Sequence, residues 1–360
     1  MKILLFGEYS GFFNCLKEGF LALGHDVFMA SNGNDGRDYP SDFRWDAHTR
    51  NKLGKFKSFF SAANIWAHFN LFKGYDVVLL IAPNNIHAGM QWLNNPIYKY
   101  ILSHNKKVYL SGAGISGLLF DYWYDSDQKY HQYMEGYFYN NKTPFYYHNK
   151  KLIDWEESLM NHIDGYIPIW YEYSEPFKRF ESYKKIIRIP INVTQFDYKP
   201  NVVRNNKIVF MHGMTSRESK GTRRFIQPAF EKMQKHYGDK AEFHCVGGLP
   251  FKEYMSLVDR TNVIVDDACS YSIAMNGLFS LLKGKVIMGG AEPVANKEYG
   301  YTYNPVINIC PDIDQICDEM IKIINHKDMI EELSHKGPAF VKEYHNYIDI
   351  ASEYIELFNE

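Results

Sequence analysis

The sequence predicts an α/β chain of two Rossmann-like domains facing across a cleft, and three observations lead there. Short apolar runs, KILLF, HDVFMA, YDVVLLIAP, KKVYLSG and DGYIPI, alternate with longer segments of helical length, the pattern of buried parallel strands joined by crossovers. The same alternation starts afresh at Lys207, after the polar, turn-rich stretch NVTQFDYKPNVVRNN with its Pro200. A chain of 360 residues with 46% hydrophobic content has the length for about two domains, each with a substantial core. Two open parallel sheets in tandem present the carboxyl ends of their strands to a shared crevice, where ligands of such sheets bind. The expected limits are a first domain over 1–191, a linker over 192–206, a second domain over 207–340, and a terminal helix over 341–360 packing back on the first domain.

Charge and cysteine usage narrow the partners. Lys and Arg number 40 against 42 Asp and Glu, a formal net charge of −2, so no overall field selects nucleic acid and any basic patch is local. Cys15, Cys245, Cys269, Cys310 and Cys317 are odd in number, widely spread, and show no CxxC pair or Cys/His metal spacing. They read as reduced thiols in a cytoplasmic protein. The apolar run after Lys2 ends at Gly7, too short for a signal peptide, and no run approaches the roughly 18 residues that span a bilayer.

In the first domain, the strand ending at Phe6 runs into Gly7-Glu8-Tyr9-Ser10-Gly11. Small residues at a strand's carboxyl end let a ligand approach the backbone, and the following helix offers its positive end. Glu8 is the first candidate carboxylate there, and a solvent-facing acid at a helix start is the plainer alternative. Over Phe43–Phe72, with Lys73 just beyond, cations and large rings interleave, which suits an anionic membrane surface, as on the inner face of the plasma membrane, or a lipid-diphosphate acceptor, or else a helix pair whose rings fill the domain core. His87 follows the third strand, near the expected cleft edge. Gly112-Ala-Gly114-Ile-Ser-Gly117 satisfies GxGxxG after KKVYLS. It sits on the fourth strand-like run, though, and no second strand ending in an acid follows about 20 residues on, so a dinucleotide site is disfavoured. A cleft-facing backbone loop touching acceptor or donor is the better reading, with a structural turn as the plainer alternative.

The second domain is the more informative. KIVFMHGMTSRESKGTRRFIQPAF reads as strand, cationic loop and helix. Arg217 and Lys220, just before Gly221 where the helix should begin, suit a diphosphate, because side-chain charge and helix dipole add at one point. A solvated basic turn fits the same residues. In HCVGGLP, Gly247 and Gly248 allow close backbone approach at the end of a strand, or simply make a tight turn. NVIVDD ends on Asp266 and Asp267, either carboxylates for a ligand or a turn and cap pair. The segment from about Asp312 is helical, with Gly337-Pro338 expected to interrupt it.

Several stretches resemble retaining glycosyltransferases of the GT-B fold, in particular the family-four group that builds bacterial surface polysaccharides. GEYSGFFNCLKEGFLALGHDV is similar to that family's glycine loop, helix and second strand, DGYIPIWYEYSEPFKRF to the end of its acceptor domain, and IIRIPINVTQF to its linker. RESKGTRRFIQPAFEKM looks like the donor-phosphate loop and helix, and LLKGKVIMGG like the strand entry after it. The resemblance implies a nucleoside-diphosphate sugar donor, with Gly7, Gly11, Gly213, Val246, Gly247, Gly248, Leu249, Tyr271, Asn276 and Gly277 as donor-side candidates; His212, after KIVFM, is expected with His87 near the cleft edge and joins the donor side, a core or surface histidine being the plainer alternative. It implies an acceptor side that includes His87, Gly112 and Gly114. The family carries two glutamates eight positions apart before the glycine turn, near the donor sugar and ribose. Counted back from Gly284, those positions hold Tyr271 and Phe279, so both carboxylates are missing.

The expected activity is hexosyl transfer, with retention, to a carbohydrate or lipid-linked acceptor in capsular, lipopolysaccharide or exopolysaccharide synthesis. Arg217 and Lys220 would stabilise the leaving diphosphate, with Glu8 as a third catalytic candidate. No metal or cofactor is required on this reading, since the two cations neutralise the donor. A non-catalytic nucleotide-sugar or glycan-binding module and a sugar-nucleotide 2-epimerase are the alternatives that the absent glutamates keep open.

Overall fold

The structure, a computed structural model, describes residues 1–33, 39–45, 54–83, 86, 91–124, 149–214 and 220–360. The chain divides into two units. The first joins Met1–Tyr122, the segment ending at Asn192, and Tyr347–Glu360; the second is centred on Val193–Asn346 and takes in Trp123.

In the first unit the apolar runs become β1 (Lys2–Phe6), β2 (Asp26–Ser31), β3 (Phe43–Arg44), β4 (Val77–Leu80), β5 (Lys107–Gly112) and β6 (Gly165–Pro168). They form one sheet in the order β3-β2-β1-β4-β5-β6, and every pairing is parallel. Ile3 lies in register with Val27 on one side and Val77 on the other. Leu4, Leu5 and Phe6 are fully buried, because helices cover both faces of a parallel sheet. Those helices are α1 (Phe12–Ala22), α2 (Gly54–Ala67), α3 (Gln91–His104), α4 (Gly117–Tyr124) and α5 (Lys150–Met160).

The last helix of the chain also belongs to this unit, because α1 leaves it a seat. Gly19 lacks a side chain where the Tyr347 carbonyl and the Ala351 methyl press against α1. Tyr347 N–H donates to the Ile191 carbonyl at 3.1 Å, and Arg188 pairs with Glu353 at 2.6 Å. Phe20 completes the contact against Tyr354 and Phe358.

In the second unit β7 (Ile208–Gly213), β8 (Ala241–Val246), β9 (Val263–Val265), β10 (Val286–Gly289) and β11 (Ile307–Asn308) form a five-stranded sheet ordered β11-β10-β9-β7-β8, again wholly parallel. A π-helical turn, Thr222–Ile226, leads into α6 (Gln227–Tyr237), followed by α7 (Phe251–Arg260), α8 (Met275–Leu282), α9 (Pro293–Glu298), α10 (Ile313–Asn325) and α11 (Asp328–Tyr344); α12 (Tyr347–Asn359) is the helix already placed on α1. Phe210 stacks on Phe243 at 5.2 Å in the core, with Phe230 beside it. The expected break at Gly337-Pro338 does not occur: α11 runs through both residues. Pro338 removes one backbone bond, and tight packing offsets the loss, since bare Gly337 lies against Leu281 of α8.

Candidate functional site

The parallel strands of the second unit end in a cluster of buried polar groups. β7 delivers His212 and Gly213, β9 delivers Asp266 just past its end, and the turn into α6 delivers Lys220, Gly221 and Thr222. Gly221 has φ +73, and a Cβ there would lie 2.8 Å from Cys269 Sγ and 2.9 Å from Phe225 Cδ2. Only glycine takes that left-handed turn without strain and without collision. The turn sends Lys220 back over β9, where its ammonium meets Asp266 Oδ1 at 2.5 Å, with Lys220 14% and Asp266 1% exposed.

Charge keeps this pair ionised. Burial alone would lower the Lys220 pKa, but the Asp266 carboxylate, with Asp267 behind it, outweighs burial and raises it. Burial would likewise raise the Asp266 carboxyl, and the Lys220 ammonium outweighs it and holds the group below the usual carboxylate range. Asn276 of α8 donates to Asp266 Oδ1 at 3.3 Å and to the Tyr254 hydroxyl at 3.1 Å. Gly277 follows; a Cβ there would lie 3.1 Å from Asp266 Oδ2. Gly213 makes room for the Tyr254 hydroxyl, which would stand 2.7 Å from a Cβ at that position. Asp267, in contrast, accepts from Cys269 N–H at 2.8 Å and serves the turn.

His212 is a structural member of this cluster, with its ring turned inward. It is fully buried. Its Nδ1 donates to the Val265 carbonyl at 2.7 Å, and Nε2 accepts from the Thr222 hydroxyl at 2.8 Å. Burial first, and the Lys220 charge second, lower its pKa to about 4, so the imidazole is neutral at physiological pH. Val246, Gly247, Gly248 and Leu249 continue β8 as an open turn: Val246 accepts from Met214 N–H at 2.7 Å, Gly248 has φ +74 with open space around it, and Leu249 is exposed. Tyr271 and Phe279 are both buried. Phe279 packs edge-on against Phe196 at 5.5 Å, so an apolar ring pair occupies the place where the resembled family has its second glutamate.

The first unit carries the remaining candidates. Glu8 is buried, and its carboxylate turns back onto α1, accepting from Gly11 N–H at 2.8 Å, Asn14 N–H at 3.0 Å and Asn14 Nδ2 at 2.6 Å. It thus occupies the positive end of α1 itself. Desolvation raises its pKa to about 7, against the lowering effect of those hydrogen bonds. Gly7 and Gly11 adopt φ +111 and +88 to make the turn. At β5 the GxGxxG glycines also serve packing: the Tyr166 hydroxyl presses on Gly112, and Gly114, at φ +101, lies against the Tyr9 ring. Gly117 N–H and Leu118 N–H donate to the two oxygens of buried Glu156 at 3.0 and 2.9 Å. An internal carboxylate therefore sits where a phosphate would bind a dinucleotide fold. Arg217 and His87 lie outside the described residues.

Sequence reasoning passed over Thr222, Tyr254 and Glu156. Thr222 stands directly after the flagged Gly221, whereas Tyr254 lies mid-helix and Glu156 is 39 residues from the N–H group it accepts, with no local signal. Among the described residues, no group of three or more His, Cys, Asp or Glu could hold a metal ion, and no helix is long and apolar enough to cross a membrane.

No protein-family model and no curated protein matches this chain. Solved structures do. Sucrose-phosphate synthase from Thermosynechococcus elongatus aligns with a TM-score of 0.65 at 14% identity, over 100% of this chain and 98% of that one. Anabaena HepE in complex with UDP and glucose aligns over the whole of both chains, with a TM-score of 0.62 and 10% identity. S. aureus MnaA with UDP aligns over 99% of this chain and 95% of that one, with a TM-score of 0.55 and 11% identity. At such identities the likeness is one of fold, and it agrees with two all-parallel sheets in tandem: the chain has the GT-B fold.

Proposed function

We propose that this protein is a glycosyltransferase that takes its sugar from a nucleoside diphosphate. One observation carries the reading: a buried ammonium, Lys220, fixed by Asp266 at the turn where Gly221 opens the helix Thr222–Tyr237. As the bond between the anomeric carbon and the β-phosphate oxygen breaks, negative charge grows on the departing diphosphate. A preorganised cation and the amino end of a helix stabilise that charge without reorganising in the step. A diphosphate carries more charge than one carboxylate, so it competes with Asp266 for the ammonium, while Asp266 keeps the empty seat near neutral and Lys220 aligned. In the sequence Arg217 stands three residues ahead of Lys220; it would supply a second cation, and the two together would neutralise the diphosphate without a metal.

Structural neighbours hold UDP, UDP with glucose, or UDP-glucose in their complexes, which makes uridine nucleotides the first donors to test. The turn Val246–Leu249 would read the base with backbone groups. Retention and hexosyl transfer to a glycan or lipid-linked acceptor follow from the resemblance. With Tyr271 and Phe279 in place of the glutamates, the ribose and sugar need other partners, and Asn276, Tyr254 and Asp266 are the polar groups at hand.

The test is incubation with a panel of nucleoside-diphosphate sugars, with and without oligosaccharide or lipid-linked acceptors, following diphosphate release and product anomer by NMR. Acceptor-dependent release supports the proposal. An epimerised donor formed with no acceptor would overturn it in favour of a 2-epimerase, as an UDP-GlcNAc 2-epimerase from Neisseria meningitidis is also a fold neighbour. Binding without turnover across the panel would leave a binding module.

A further inference from the structure

Three lysines converge on one acid at the edge of the second sheet where β9 and β10 begin, opposite the strand ends that gather Lys220 and Asp266. Asp259, in the last turn of α7, pairs with Lys283 Nζ through Oδ1 at 2.6 Å and with Lys199 Nζ through Oδ2 at 2.9 Å. Its carbonyl accepts from Lys285 Nζ at 3.1 Å. Gly284, between the two lysines of the α8–β10 turn, lets the chain before β7 pass close: a Cβ there would lie 2.7 Å from the Tyr198 ring and 3.1 Å from the Lys199 carbonyl. Asn201 and Asn262 tie the same segment to the start of β9 through two hydrogen bonds, at 2.9 and 2.8 Å.

Two of these cations are buried with too few partners. Lys285 is 2% exposed, and Lys283 is buried beside it. An ammonium has three N–H donors, and among the described residues Lys285 has one acceptor, the carbonyl at the helix end. Lys283 has one carboxylate oxygen and the face of the Phe196 ring at 5.0 Å. Arg204, exposed on the segment before β7, adds its charge to theirs. Lys285 registers the excess: burial lowers its pKa, the Asp259 carboxylate raises it, and Lys283, Lys199 and Arg204 lower it again, to about 8 in sum. Buried positive charge without a matching counter-charge is costly. A dianion supplies both things lacking here, charge and several acceptor oxygens.

We propose that Lys199, Lys283, Lys285 and Arg204 form a second anion site, which takes a phosphate group, free or carried by a small metabolite. It stands independently of the donor chemistry at Lys220.

The full chain carrying Lys220→Met/Asp266→Leu, without the charges of the first seat, is titrated by calorimetry with inorganic phosphate, glucose 6-phosphate and sulfate, at an ionic strength fixed with sodium chloride. The expected result is saturable binding at one site. Tighter binding of the sugar phosphate marks a metabolite as the occupant and tighter binding of phosphate marks the free ion; either supports the site. Adding Lys199→Gln and Arg204→Gln, both at exposed positions, should weaken the constant at least about tenfold, the loss of a charge-assisted contact. Sulfate does not titrate near pH 8, so its binding there should draw a proton onto Lys285, read as a heat that varies with the ionisation enthalpy of the buffer. That uptake should vanish with Lys285→Met. Heats no larger than those of sodium chloride, an unchanged constant without Lys199 and Arg204, or sulfate binding with no proton uptake would each overturn the proposal.

Discussion

Replacing Lys220 with Met tests the buried ion pair at the centre of the site. Asp266 is 1% and Lys220 14% exposed, so water screens neither well. Without the ammonium the Asp266 carboxylate keeps, among the described residues, the Asn276 amide as its side-chain donor, and stranding one partner of a buried pair costs about 3–5 kcal/mol. The pH dependence is the finer signature. In the wild type the Asp266 pKa is depressed, so its stabilisation is present above the unfolded value of about 4 and is lost only as pH falls through the lower folded value. In the variant, burial dominates and lifts the folded pKa above the unfolded one. Ionisation then costs stability, and the deficit against wild type should grow as pH rises from about 4 to 7. Urea unfolding at both ends of that window should show a deficit of about 3–5 kcal/mol at neutral pH and a much smaller one in acid. Lys220→Met with Asp266→Leu removes both charges and should restore most of the stability, because an apolar pair substitutes for a buried ion pair with little loss. A single-variant cost below about 1 kcal/mol, the size of an exposed pair, or one independent of pH, would show that Lys220 and Asp266 do not form a buried, ionised pair.

The other positions give sharper, smaller tests. Glu8, with a folded pKa raised from 4.5 to about 7, contributes stability that is present below its unfolded value and lost as pH rises through about 7; Glu8→Gln should abolish a slope worth about 3 kcal/mol in denaturant titrations across that range. Gly221→Ala forces a side chain into φ +73 and against Cys269 and Phe225, at a combined cost of about 2–5 kcal/mol by chemical unfolding. His212→Leu strands the Val265 carbonyl and the Thr222 hydroxyl at about 1–3 kcal/mol each, read as a lower melting temperature.

The sheets were legible because strands buried on both faces are continuous apolar runs, as in KILLF and YDVVLLIAP. The break expected at Pro338 was not observed, since packing of Gly337 on Leu281 outweighs a local signal. In the candidate site, Lys220 and Asp266 were both visible as residues, yet their pairing spans 46 positions and depends on a left-handed turn at Gly221. Composition also left open whether the rings of 43–72 fill the core or face outward. Trp45, just past β3, and Phe72, in the 3-10 turn Phe69–Phe72, are buried around Phe6, while Phe60 and Trp66 of α2 are exposed, a division set by the tertiary packing around β1. The GxGxxG run was ambiguous for a similar reason: the carboxylate that fills its helix end, Glu156, comes from a different helix.

Lys220 is the proposed seat of the donor diphosphate. Titration calorimetry with UDP, comparing the wild type with the charge-free Lys220→Met/Asp266→Leu protein, measures that most directly, because the double variant should remain folded. The predicted result is clear binding to the wild type and at least about a tenfold weaker constant in the double variant, the loss of one charge-assisted contact. Equal affinity in the two proteins, with both folded, would contradict it.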